Sequence, residues 1–253
     1  VSELVIPAER VVLITGAAAG LAKGIAIDLA HRGYRIALCV RPGGTSSAAV
    51  CEAVRSFGGE PFVCEANFTQ SGSAERIVRE TETHFGRLDA VVHAVGPMIV
   101  KRFARCTIDD YHTMIDANLA SSVEIAFAAL PGMRERKFGR LVFFGMNGSH
   151  STHPARGLSL YGAAKAGVVC FARTLALEEA AHGISVNVIE PGDIRQKELG
   201  RGAARMIPAK NPTGRAGSWE DVASAVRFVL AEDADFLNGM VLGVHGGMVD
   251  GHE

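Results

Sequence analysis

The sequence predicts an α/β domain built on a doubly wound parallel sheet with helices on both faces. Short apolar runs alternate with amphipathic stretches along nearly the whole chain. The runs are continuously apolar rather than alternating, as in RVVLIT at 10–15 and ISVNVI at 184–189. Strands written that way are buried on both faces, which is the state of parallel strands covered by helices. A glycine-bearing turn, Thr15-Gly16-Ala17-Ala18-Ala19-Gly20, falls between the first strand and the first helix, where a βα unit needs a tight connection.

Taken in order, strand 10–15 leads through that turn to a helix from Leu21 to about residue 31. RIALCV at 35–40 is the second strand, 47–57 is helical, and 60–65 is the third strand. A helix over 71–85 precedes the fourth strand, LDAVVHA at 88–94. One long helix is expected over 107–136. It opens on Thr107-Ile108-Asp109-Asp110, a pattern in which a hydroxyl and an acid three residues on satisfy each other's backbone amides. RLVFF at 140–144 is the fifth strand, 160–182 a second long helix, and 184–189 the sixth strand, closed by Glu190-Pro191-Gly192. A helix over 219–231 and a strand over 240–244 end the pattern. No repeat or low-complexity linker divides the chain, so residues 1–253 are expected to form one domain. The segment 193–217 has weak periodicity with glycine, proline and basic residues, and is expected to be a substrate lid.

Lys and Arg number 26 against 27 Asp and Glu, with no charged block. That argues against nucleic acid or an anionic membrane as the main partner, because both need a clustered positive field. The five cysteines (Cys39, Cys51, Cys64, Cys106, Cys170) form no C-x-x-C pair, which fits a reducing compartment better than a disulfide framework or a zinc site. Residues 1–7 carry no basic leader, and no apolar run reaches the length of about 18 residues expected of a membrane span, so a cytoplasmic protein is expected.

The glycine turn has the place and chemistry of a dinucleotide site. Glycine permits the tight turn and close backbone approach, and the free amides of the following helix face the pyrophosphate. The second strand ends Cys39-Val40-Arg41-Pro42, without the carboxylate that would accept from a ribose diol and repel a 2′-phosphate. Arg41 suits a 2′-phosphate, which favours NADP(H); a solvated surface arginine is the competing interpretation. Tyr161 and Lys165 stand four apart on a helix and share a face. A phenol with a pKa of about 10 becomes a usable acid or base when an ammonium favours its phenolate.

These motifs, in this order over nearly the whole chain, resemble the short-chain dehydrogenase/reductase family, with Ala22 in place of its third glycine. The resemblance implies a Rossmann-type sheet and a pyrophosphate held by Gly16, Ala18, Ala19, Gly20 and Leu21. It places Asn67 and Phe68 at the adenine, Ala94 and Gly96 along the cofactor, and Pro191, Gly192 and Ile194 at the nicotinamide. His93-Ala94-Val95-Gly96 stands where the family has Asn-Asn-Ala-Gly, which puts the sheet-tying hydrogen bonds of those asparagines in question. By the same resemblance Tyr161 exchanges the proton, Lys165 lowers its pKa and holds the nicotinamide ribose, and Asn118 positions a water.

The family's catalytic serine is expected just after the fifth strand, where this chain has Gly145-Met146. A thioether cannot donate a hydrogen bond. Ser149 swinging in, Asn147 donating its amide, or a site without this donor remain open. His150 and His153 lack an evident third ligand, so no metal is expected. The overall pattern is similar to 3-oxoacyl-[acyl-carrier-protein] reductases, implying an NADPH-dependent reduction of 3-oxoacyl-type or related ketones. A catalytically silent NADP(H)-binding protein and an oxidative alcohol dehydrogenase are the alternatives. Arg195, Lys197, Arg201 and Arg205 could attract an acidic carrier or anionic substrate, or form a solvated face. The resemblance further implies a homotetramer assembled through the helices at 107–136 and 160–182.

Overall fold

The computed structural model describes residues 10–194 and 197–248. Seven strands, all parallel, form one sheet in the order β3-β2-β1-β4-β5-β6-β7. They are β1 (Val11–Thr15), β2 (Arg35–Val40), β3 (Phe62–Glu65), β4 (Ala90–His93), β5 (Gly139–Phe144), β6 (Ile184–Pro191) and β7 (Val241–Val244). The first half of the chain supplies helices α1 (Gly20–His31), α2 (Ala48–Arg55) and α3 (Ser73–Phe85). The second half adds α4 (Ile108–Met114), α5 (Ser121–Arg136), α6 (Ser159–Glu179), α7 (Arg201–Ala204) and α8 (Trp219–Leu230).

The continuous apolar runs are explained by the two cores. Val11 and Leu13 of β1 pack with α3, α5 and α6 on one face. Val12 and Ile14 of the same strand pack with α1, α2 and α8 on the other. β1 is thus apolar on both faces, as a doubly covered sheet demands. The stretches Ile108–Arg136 and Ser159–His182 are long and apolar enough to cross a membrane, yet each buries one side against the sheet. Their outer sides leave Phe127 and Leu177 exposed.

The helix expected over 107–136 differs in one respect. Its start is as expected: the Thr107 side chain accepts from Asp110 N, and Asp110 returns the bond to Thr107 N. At Ile115–Ala120 the helix then widens into a π turn before continuing as α5. Side chains compete for its carbonyls there: Asn118 Nδ2 donates to Met114 O at 3.0 Å, Ser121 Oγ to Ala117 O at 2.9 Å, and Ser122 Oγ to Asn118 O at 2.7 Å. Such side-chain bonds loosen the i→i−4 ladder, and π turns recur at functional positions. Among its described residues, the segment 193–217 contains as regular structure only the four residues of α7 and an isolated Pro208–Arg215 bridge.

Helix α1 crosses α8 at Gly24, where an added methyl would lie 2.6 Å from Trp219 Cε3. Gly24→Ala should therefore lower the unfolding free energy by about 1 kcal/mol, the overpacking cost exceeding the gain in helix propensity. Urea denaturation measures it; a variant more stable than the parent would show that the crossing yields.

Candidate active site

Strand order reverses beside β1, so the crossovers leaving β1 and β4 part and open a crevice at the carboxyl edge of the sheet. One end, of about 380 Å³, is lined by Cys39, Val40, Arg41, Asn67 and Phe68. The other, of about 520 Å³, is lined by Gly20, Met146, Asn147, Tyr161, Lys165 and Gly192, among others. Gly16, Ala94, Val95 and Gly96 border both.

In the turn after β1, Gly16 and Gly20 have φ of 71° and 62°. A methyl on Gly16 would also lie 3.2 Å from Ala94 O. Ala19, Gly20 and Leu21 line the crevice; Ala18 sits in the turn without lining either end. Ala19 offers no side-chain cap to α1. Instead Glu198 Oε1 accepts from Gly20 N at 3.3 Å, and its other oxygen pairs with Lys23 at 3.4 Å. The Gly20 amide and Lys23 hold this carboxyl below the usual range. A carboxylate thus stands where helix geometry favours an anion, and the turn fits a cofactor pyrophosphate. Arg41 is exposed at the end of β2, with no side-chain partner among the described residues. Asn67 uses its carbonyl to accept from Thr69 N and Oγ1 at 3.2 and 2.9 Å.

His93 answers the question left by the lost asparagines. Thr15 and His93 are register neighbours on β1 and β4. Thr15 Oγ1 accepts from Ala94 N at 3.1 Å, so its own hydrogen goes to His93 Nδ1 at 3.0 Å. Nε2–H then donates to Ser121 Oγ at 3.0 Å, and Ser121 donates on to Ala117 O. This assignment satisfies every group in the line with a neutral imidazole. Burial, followed by the nearby Lys165 charge, pushes His93 down to about 3.

The residues picked from the Tyr-x-x-x-Lys spacing converge with Asn118. Lys165 is buried and donates to Phe144 O at 2.8 Å, with Nζ 5.6 Å from the Tyr161 ring centroid. Burial, with Lys197 adding a like charge, lowers Lys165 to about 8. Burial also raises the Tyr161 phenol above its ordinary value. That is opposite to the lowering expected from the spacing alone: burial of the phenol prevails, and the Lys165 ammonium is directed to the Phe144 carbonyl. Asn118, inside the π turn, donates to Pro97 O and Met114 O at 3.2 and 3.0 Å. Its buried Oδ1 has no partner among the described residues. A methyl on Gly96 would strike that oxygen and lie 3.2 Å from Lys165 Nζ, so Gly96 lets the two approach.

After β5, Met146 and Asn147 line the crevice with Tyr161, and Met146 Cε reaches across to Gly162. Ser149 does not swing in. It is buried, donating to Glu190 Oε1 at 2.5 Å and accepting from Met146 N at 3.1 Å. Pro191, Gly192 and Ile194 line the same end of the crevice. Of the lid cations, Lys197 lines it and Arg205 is exposed. Arg201 is tied to Asp221 and Ser224 of α8 at 3.1 and 3.3 Å, which leaves it poorly placed to recruit a partner. Arg195 lies outside the described residues. Sequence alone assigns no site role to Thr15, Glu190 or Glu198. Only Glu190 left a signal: an acid directly after a buried apolar strand needs partners.

A family model described as Enoyl-(Acyl carrier protein) reductase matches residues 16–249. The chain is 30% identical over 243 residues to the 3-oxoacyl-[acyl-carrier-protein] reductase FabG of Escherichia coli (strain K12), covering 94% of this chain and 97% of that protein. It is 32% identical over 252 residues to the 3-oxoacyl-[acyl-carrier-protein] reductase MabA of Mycobacterium bovis, covering 96% and 94%. Among solved structures, levodione reductase is similar with a TM-score of 0.83 at 29% identity, covering 94% and 97%.

The buried imidazole has a measurable consequence. The unfolded chain takes up a proton near pH 6.5, whereas folded His93 resists protonation down to about 3. Its contribution to stability is present above pH 6.5 and falls by up to about 1.4 kcal/mol per pH unit below it. His93→Asn should be less stable than the parent at pH 7, and the gap should narrow towards pH 4. Chemical denaturation across that range tests this; parallel curves would refute it.

Proposed function

Because this chain belongs to the short-chain dehydrogenase/reductase family of oxidoreductases, whose members bind a nicotinamide cofactor, we propose that it is an NADPH-dependent reductase of ketone or 3-oxoacyl-type carbonyls. The observation that carries this is that Tyr161 and Lys165 line the larger end of the crevice while buried Asn118 meets Lys165 at Gly96. Two relatives named as 3-oxoacyl-[acyl-carrier-protein] reductases support the substrate class.

When bound, the cofactor supplies the hydride. Gly16, Ala19, Gly20 and Leu21 hold its pyrophosphate once Glu198 gives way. Arg41 takes the 2′-phosphate and Asn67 with Phe68 the adenine. Pro191, Gly192 and Ile194 form the wall of the nicotinamide pocket, and Lys165 binds the ribose. Tyr161, kept protonated by burial, gives its proton to the substrate oxygen. The Lys165 ammonium then stabilises the phenolate, while Asn118 orients a water for reprotonation. Asn147, which has no partner among the described residues and lines the crevice, takes the missing serine's place as second donor. The segment 193–217 acts as the lid. The outer faces of α5 and α6, with Phe127 and Leu177, join subunits of a homo-oligomer, and five unpaired cysteines suit the cytoplasm.

NADPH consumption with 3-oxoacyl thioesters, diketones and quinones tests the assignment. Tight NADPH binding without turnover of any of them would favour the silent alternative, for which Met146 is the motive. Asn147→Ala should lower kcat about 10²-fold, the usual effect of losing an oxyanion donor, and Met146→Ser should restore part of it in that background. Lys165 carries its charge below pH about 8. Reductive kcat should therefore decline as pH rises through that value; a rate flat to pH 10 would contradict the ammonium's role. Arg41→Ala should raise KM for NADPH about tenfold and leave KM for NADH nearly unchanged.

A further inference from the structure

Glu190 ends the apolar run of β6 with a carboxylate that is 1% exposed. Both its oxygens are taken by one loop. Oε1 accepts from Ser149 Oγ at 2.5 Å and from His150 N at 2.9 Å, and Oε2 lies 2.8 Å from His150 Nδ1. Ser149 Oγ passes the hold back by accepting from Met146 N at 3.1 Å, while Ser149 N donates to Met146 O at 2.8 Å. Gly145 lets the carboxylate through: a methyl there would lie 2.7 Å from Ser149 Oγ and 2.9 Å from Glu190 Cγ.

We infer that Glu190 is a positioning residue whose carboxylate latches the loop 145–151, holding Ser149 out of the crevice and presenting Met146 and Asn147 beside Tyr161. A buried carboxylate stripped of its donors is costly. Turning Ser149 towards Tyr161 would remove one donor from Glu190 and the acceptor from Met146 N together, so the loop has one favoured conformation. The latch also joins two walls of the crevice, since Pro191 and Gly192 follow Glu190 directly. It further steadies Phe144, whose carbonyl receives Lys165 Nζ immediately before Gly145. The link to turnover rests on the proposed reductase activity, but the latch itself does not.

Amide hydrogen exchange on the cofactor-free protein, paired with NADPH turnover and NADPH affinity, tests the latch. In Glu190→Ala the Met146 and His150 amides should exchange about 10- to 100-fold faster, as expected for a lost buried hydrogen bond. Glu190→Gln, which keeps one oxygen acceptor, should stay near the parent. Ser149→Ala should release the Met146 amide while His150 stays protected, and it reads the latch even if Glu190→Ala does not fold. In turnover, Glu190→Ala should lose kcat about tenfold or more, with NADPH Kd within about twofold and rescue by Gln. Unchanged exchange at both amides overturns the proposal, as does faster exchange with parental kcat. If the parent protein reduces no carbonyl, the reductase assignment fails by itself, and exchange at the two amides alone upholds or overturns the latch.

Discussion

All seven strands run the same way, and this constraint settles where chemistry can sit. Parallel neighbours require a crossover over one face or the other, so every strand delivers its carboxyl end to a single edge. The glycine turn follows β1, Arg41 follows β2, and Asn67 follows β3. Ala94 to Gly96 follow β4, Met146 and Asn147 follow β5, and Gly192 with Ile194 follow β6. The reversal beside β1 then opens the crevice between them without any residue having to be spent on making a cavity.

The same constraint makes polar groups in the strands expensive, and at the carboxyl edge two of them are each met by a line of partners. Thr15 and His93 sit at the last residues of neighbouring strands, where the sheet meets α5. Their hydrogen bonds run from the Ala94 amide to the Ala117 carbonyl in the π turn. Glu190 sits at the equivalent edge of β6 and is met by the loop after β5. Both lines border the crevice, and both replace flexibility with a single arrangement. His93 fixes the neighbourhood of Asn118; Glu190 fixes that of Asn147.

The strands, the glycine turn and the Tyr161–Lys165 pair were legible in the sequence because each is local: periodicity, a turn, or a four-residue helical spacing. The π turn was not, because the side-chain bonds that widen it depend on Asn118, Ser121 and Ser122 in a helix whose apolar pattern reads as unbroken. Neither His93 nor Ser149 could be resolved from its neighbours. His93 is satisfied by a residue 78 positions away, and Ser149 is claimed by one 41 positions away. Glu198 at the start of α1 is a similar case, since nothing local marks a lid glutamate as occupying an anion site 178 residues upstream. Local chemistry named the reacting groups; the distant pairings decide which of them face the crevice.

The charge state of the Tyr161–Lys165 pair bears on the proposed direction of reaction. Burial raises the phenol and lowers the ammonium. The first shift disfavours the phenolate at neutral pH, and the second still leaves Lys165 charged there. Oxidation of an alcohol needs the phenolate first, so the resting protein would begin on the wrong side of that proton transfer. Reduction begins with phenol and ends with phenolate, and Lys165 is still charged below pH about 8 to receive it. In the proposed reaction Met146 adds to the asymmetry, because a thioether beside Tyr161 donates nothing to the substrate oxygen and leaves that role to the phenol and Asn147. A phenol kept protonated by burial suits the proposed reduction, in which the proton stays on Tyr161 until a carbonyl arrives.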